Sequence, residues 1–137
     1  MNTAPNLRFL GHVPHPIARQ AMSSVDLLLM PYQERVSIGL TGHDTARWMS
    51  PMKMFEYMSS GTPFIASDLP VLHEVLRDGM NAVMVAPENV AAWRSSILAL
   101  RDDPARRMVL AQLPYDDYQA NYTWRRRAES IIFLTRK

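Results

Sequence analysis

Lys53 and Glu56 are the charged pair in this chain whose spacing invites chemistry. They lie three residues apart in the stretch Ser50 to Asp68, SPMKMFEYMSSGTPFIASD. Residues three apart share a helix face. Ser50 can accept a bond from an unpaired backbone N–H at a helix start, and Pro51 suits the first helical position. The first turn of a helix favours acids because the backbone dipole is positive there. This one carries Lys53 and no acid before Glu56, an arrangement that suits a bound anion such as a phosphate. An ordinary surface pair between Lys53 and Glu56 is the alternative, and spacing alone leaves both open.

The elements that position these residues follow from pattern. Met52, Phe55 and Ser59 share one face of the predicted helix, Met54 and Met58 an adjoining one, and Lys53, Glu56 and Ser60 the polar stripe. Gly61 fits the left-handed position that ends a helix. Phe64 to Ala66 is a short apolar run opened by Pro63, and reads as a strand. Upstream, Leu7 to Leu10 reads as a β-like run and Ile17 to Ser24 as a helix with Ile17 and Met22 inward. Val25 to Met30 reads as a strand buried on both faces of a parallel sheet. Residues 32–50 show no sustained period. They hold Gly39, Thr41 and Gly42, and follow a strand end, where ligands bind in open α/β sheets. A disordered surface loop is the other reading.

Downstream, Ser67-Asp68-Leu69-Pro70 predicts a helix over 71–77, ended by Asp78-Gly79. Ala82 to Ala86 predicts a third strand. Asn89 caps a helix with Val90, Trp93, Ile97 and Leu100 inward. Asp103-Pro104 starts another, which Pro114 should kink or break. Thr123 caps a last helix with Ala128, Ile131 and Ile132 inward. The alternation predicts an α/β fold, a three-layer Rossmann-like parallel sheet, with residues 1–137 as a single domain.

Composition narrows the function. The 137 residues suffice for a real core. A net charge of +2 makes no electrostatic case for nucleic acid or a membrane surface, and Arg125-Arg126-Arg127 is too short to change that. Without cysteine there is neither a disulfide framework nor a thiolate metal site. His12, His15, His43 and His73 lack metal-ligand spacing and read as solvated or packed, with His43-Asp44 the exception worth testing. Asp116-Asp117 reads as a solvated helix face and Glu74 as structural. No metal is expected. No run is long enough to span a bilayer, and Met1 to Leu10 lacks a signal peptide's pattern, so a cytoplasmic protein is the default.

Several stretches together resemble a known family. Met52 to Pro63 resembles the signature of the group-1 retaining glycosyltransferases of GT-B fold. Ser67-Asp68-Leu69-Pro70 through Glu74-Val75, and Asp78-Gly79-Met80-Asn81-Ala82, resemble the segments that follow it. Leu7 to Gly11 and Asp26 to Tyr32 resemble those that precede it. Tyr122-Thr123-Trp124 with Arg127-Ala128 resembles the closing helix.

The resemblance implies the later part of the C-terminal domain, which binds the nucleotide-sugar donor. The N-terminal domain that holds the acceptor sugar or lipid-linked sugar would be missing, as would an upstream Arg and Lys. It therefore implies a fragment with no turnover alone, and the donor as substrate with no separate cofactor. Glu56 matches the glutamate that binds the donor ribose hydroxyls. Backbone N–H groups around Pro51 to Lys53, those of Met52 and Lys53 among them, match the diphosphate site, and Ser50, Thr41 and Gly42 are counted with it. Trp48 stands where the family carries its first signature glutamate, which contacts the sugar. Asn81-Ala82 replaces the usual Asn-Gly. Glycosyl transfer in bacterial polysaccharide or glycolipid synthesis is implied, in the cytoplasm or peripheral to the inner membrane face. A non-catalytic α/β module binding a nucleotide or protein partner is the alternative. A truncated sheet would leave an open edge for self-association.

Overall fold

The computed structural model describes residues 4–33 and 52–135. Its centre is a parallel sheet of β1 (Leu28–Met30), β2 (Phe64–Ser67) and β3 (Val83–Val85), in that order. Leu29 pairs with Ile65 and Ile65 with Val83. Every residue of β2 is buried. Its continuous apolar run is what a central strand covered on both faces requires. Phe64 and Ala66 point into a cluster with Met30, Met54, Met58, Leu72, Leu76 and Met84. Ile65 points the other way, to Val85, Trp93, Leu100 and Leu110. Side chains alternate across a strand, so one strand feeds both cores.

Helices form the outer layers. Helix α1 (His15–Met22) packs beside α2 (Met52–Ser60), and α2 covers the first face of the sheet through Met54 and Met58. Gly61, at φ 67°, ends α2 in the left-handed region and turns the chain into β2. Helix α3 (Val90–Asp102) covers the second face, and α4 (Pro104–Asp117) packs against both α2 and α3. The caps are those the sequence predicts. Asn89 accepts from the Ala92 N–H at 3.0 Å, Asp103 from Arg106 at 2.9 Å and Thr123 from Arg126 at 3.3 Å. Thr123 precedes α5 (Trp124–Thr135). Among the described residues, no helix is long and apolar enough to cross a membrane.

Several expectations are corrected. Leu7 to Leu10 form no strand, and Phe9 is 72% exposed. An extended segment becomes a strand only where a neighbour takes its backbone groups, and β1 is paired to β2 alone among the described strands. For the same reason β1 is not buried on both faces. Leu29 is 40% exposed, and β1 lies at the edge of the sheet among the described strands. Ile17 is exposed on α1, as is Val90 in the first turn of α3, ahead of where that helix meets the sheet at Trp93. Ala128, Ile131 and Ile132 are exposed because α5 packs on the segment 118–122 rather than on the sheet.

The helix over 71–77 is a short 3-10 helix, Pro70–Glu74. Leu69 holds its cap position without a polar group, the Asp68 carboxylate is taken by His73 at 2.6 Å, and Asn81 accepts the Arg77 N–H at 2.7 Å. These contacts leave no room for a longer α-helix. Pro114 does not break α4, which runs through it to Asp117. The missing N–H is followed instead by wide π-type turns over Tyr118–Tyr122. They bring Tyr122 against Phe55 of α2, ring centroids 5.3 Å apart. Asp117 is no solvated face. It accepts from Arg77 at 2.7 Å and from Asn81 at 2.9 Å.

Candidate functional site

The polar groups that could act on a ligand gather where the strands end. The chain leaves β1 through Pro31 and Tyr32, and the Tyr32 N–H turns back to the Met30 carbonyl at 3.1 Å. Ser67, the last residue of β2, donates its hydroxyl to the Tyr32 carbonyl at 2.7 Å. Tyr57 of α2 donates to the Leu29 carbonyl at 3.2 Å. These bonds join the end of β1 to β2 and to α2. They hold the Tyr32 ring beside the first turn of α2, with Lys53 Nζ 6.0 Å from its centroid, at the limit of a cation–π contact.

Glu56 stands one turn further along α2. Its Oε1 lies 3.3 Å from Nε2 of His15 on α1. Among the described residues, no ion pair joins it to Lys53, so the local salt bridge that spacing allowed is not formed. Burial pushes the Tyr32 hydroxyl above its ordinary range, and the Glu56 charge pushes it further. Burial raises Tyr57 as well, followed by the charges of Tyr32 and Glu56. Glu56 therefore presents its negative charge to Tyr32, Tyr57 and His15 from one point.

Of the residues expected from sequence, Met52, Lys53 and Glu56 lie together on α2, with Met52 exposed at its first position. Ser50, Thr41, Gly42 and Trp48 lie outside the described residues, as do Pro51 and His43-Asp44. Ser60, third in the polar stripe, belongs to the helix end. Its hydroxyl donates to the Tyr57 carbonyl at 2.7 Å and receives the Thr62 N–H at 3.2 Å. His15 and Tyr32 are functional candidates that spacing did not reveal. His15 is 41 residues from its partner, and only tertiary packing brings them together. Tyr32 had one local signal, its place after Pro31 at a strand end.

The arrangement offers a cation, a helix N-terminal side and a carboxylate whose Oε1 is bonded to His15, all at one sheet edge. That set can hold a phosphate and accept hydrogen bonds from hydroxyls. A separate polar groove of about 200 Å³, lined by His73, Glu74, Arg77, Asp117 and Asn121, has its Arg77 and Asp117 already bonded to each other. Among the described residues, no three His, Cys, Asp or Glu converge as metal ligands would.

Comparison with known proteins places the chain in a family. The family model described as "Glycosyl transferases group 1" matches residues 2–103. The phosphatidyl-myo-inositol mannosyltransferase of Mycobacterium leprae is 33% identical over 107 residues, 77% of this chain and 25% of that protein. The sucrose-phosphate synthase of Thermosynechococcus elongatus superposes with a TM-score of 0.74 at 22% identity, over 94% of this chain and 29% of that one. Anabaena Alr3699/HepE, solved in complex with UDP, superposes with a TM-score of 0.66 at 16% identity, over 86% and 29%. The chain thus spans about a quarter of the length of these proteins. A matched family model, a three-stranded parallel sheet shared with GT-B enzymes and α2 at the strand ends lead to one placement: this chain belongs to the group-1 glycosyltransferases, in the C-terminal domain of their fold.

Proposed function

We propose that the chain is the donor-binding part of a retaining glycosyltransferase that uses a nucleoside diphosphate sugar. The observation that carries this is the placement of Lys53 and Glu56 one turn apart on α2, at the C-terminal end of β1. A diphosphate lies against the start of α2, where backbone N–H groups near Met52 and the Lys53 ammonium offset its charge. Ser50, Thr41 and Gly42 belong to the same reading by sequence. Glu56 accepts hydrogen bonds from the ribose diol, one turn from the diphosphate, about the spacing that i, i+3 neighbours provide. In transfer, the glycosyl group passes to an acceptor hydroxyl and negative charge collects on the departing diphosphate. The α2 terminus and Lys53 stabilise that charge.

Relatives support the reading: one is named a phosphatidyl-myo-inositol mannosyltransferase, and one structural neighbour is solved in complex with UDP. The setting we infer is bacterial polysaccharide or glycolipid synthesis, in the cytoplasm or at the inner membrane face, with the donor as substrate and no separate cofactor. We place residues 1–137 in a single domain, and acceptor binding outside it. β1 and β3 are the outer strands among the described residues, and their outer edges would pair with a second copy or with the rest of the protein. Calorimetric titration with UDP-, GDP- and ADP-glucose tests the donor role. One of them should bind the wild type and bind Glu56→Ala at least tenfold more weakly, the loss expected for hydrogen bonds to a charged group. Equal binding by both proteins would contradict it.

A further inference from the structure

The imidazole of His15 contacts Glu56, and the donor reading above gives it no role. We propose that His15 is a positioning residue for Glu56. A carboxylate only accepts, so the proton between them sits on His15 Nε2, which donates to Oε1 at 3.3 Å. That bond engages Oε1, so Oε2 is the oxygen we assign to the ribose diol. The inference rests on the donor reading, because it concerns how Glu56 meets a ribose diol.

The backbone is built to deliver this imidazole. Pro14 precedes His15, at φ −57° and ψ 146°, and Pro16 follows within the first turn of α1. Pro14 fixes its own φ at the helix entrance, and Pro16 sits where its missing N–H costs no intrahelical bond. The far end of α1 is tied to the end of α2. Thr62 donates its hydroxyl to the Met22 carbonyl at 2.8 Å, and Ser23 donates to the Ser60 carbonyl at 3.4 Å. With that end tied, the near end of α1 lies over Glu56. Lys53, Tyr57 and Tyr32 also surround Glu56, yet among the described residues its hydrogen-bonded side-chain partner is His15.

His15 and Glu56 side chains are 66% and 40% exposed. An ion pair that open adds little to folding. The effect of losing it therefore falls on ligand affinity, not on stability. The experiment measures affinity for whichever of UDP-, GDP- or ADP-glucose binds the chain, with urea unfolding as control. His15→Ala should leave the urea midpoint in place and weaken binding about fivefold, one hydrogen bond's worth of orientation. His15→Gln, whose amide N–H can reach the same oxygen, should recover most of the loss. In a Glu56→Ala background, His15→Ala should cost nothing further. Losses that simply multiply, or a Gln variant no better than Ala, overturn the positioning role. A Glu56-dependent affinity that ignores His15→Ala overturns it too, and leaves the donor reading standing. If none of the three sugars binds, the donor reading fails on its own, and the pairing is judged in the free protein. The His15 ring nitrogen resonances must then move on Glu56→Gln and stay put on Lys53→Ala, and unmoved resonances overturn it.

Discussion

Ser67 and Tyr32, 35 residues apart, are joined by a 2.7 Å bond from the Ser67 hydroxyl to the Tyr32 carbonyl. It ties the end of the central strand to the turn that leaves β1. Ser67 is fully buried, so its hydroxyl has no ready water to replace the carbonyl. Ser67→Ala should cost about 1 kcal/mol of stability, the usual net worth of such a bond. It should also loosen Tyr32 and weaken nucleotide-sugar binding a few fold. Urea unfolding and calorimetry on one variant separate the two effects. Unchanged binding together with lost stability would show that Tyr32 is held by other contacts.

Asn81 is 1% exposed and fully used. It accepts from the Arg77 N–H at 2.7 Å and donates to the Val75 carbonyl at 3.0 Å and to Asp117 at 2.9 Å. It thereby joins the turn before β3 to the end of α4. Asn81→Leu has a similar volume but leaves the Arg77 N–H and the Val75 carbonyl without this partner, and should destabilise by about 2–4 kcal/mol, since each buried orphan costs about 1–3. A midpoint shift in urea at constant slope is the expected result.

Tyr57 and Tyr32 set an alkaline limit on stability. Burial, with smaller contributions from neighbouring charge, raises both hydroxyls above their ordinary value of 10.0. Above that pH the unfolded chain loses these protons first, so the native state binds more protons than the unfolded one. Stability then falls as pH rises, whereas below 10 the contribution is fully present. Tyr57→Phe should therefore lower stability near neutral pH by removing the bond to Leu29, and flatten the decline above pH 10. A decline of unchanged steepness in Tyr57→Phe would assign the alkaline loss elsewhere.

The parts of this fold that were legible in sequence are those set by neighbours along the chain. Asn89, Asp103 and Thr123 cap helices because their oxygens reach an N–H three residues on, and Gly61 ends α2 because a left-handed turn is needed there. Phe64 to Ala66 read as a buried strand because its apolar run is unbroken. Exposure was harder, since it depends on what lies opposite. Leu29 has the pattern of a buried residue and stands at an uncovered edge, and Ile131 has a helical stripe with no sheet beneath it. The site divides along the same line. Lys53 and Glu56 share a helix and could be paired by spacing. His15 joins them through the packing of α1 on α2, and no count of residues from 15 to 56 would predict it.

Lys53 should act on charge and Glu56 on geometry. Lys53→Ala should weaken binding of a nucleoside diphosphate sugar and reduce its dependence on salt, because an exposed cation near an anion is screened. Glu56→Ala should weaken binding with the salt dependence unchanged or steeper, since a negative charge near the diphosphate is removed. Matching salt profiles in the two variants would deny them separate roles.

The central claim is that Glu56 reads the ribose diol, and removing the diol tests it most directly. Take the nucleoside diphosphate that binds best, and measure its affinity and that of its 2′,3′-dideoxy form for wild type and Glu56→Ala. The wild type should lose about tenfold or more on removal of the hydroxyls, and Glu56→Ala should bind both forms alike. If Glu56→Ala still discriminates between the two forms as strongly as the wild type, the carboxylate does not contact the ribose and the account is wrong.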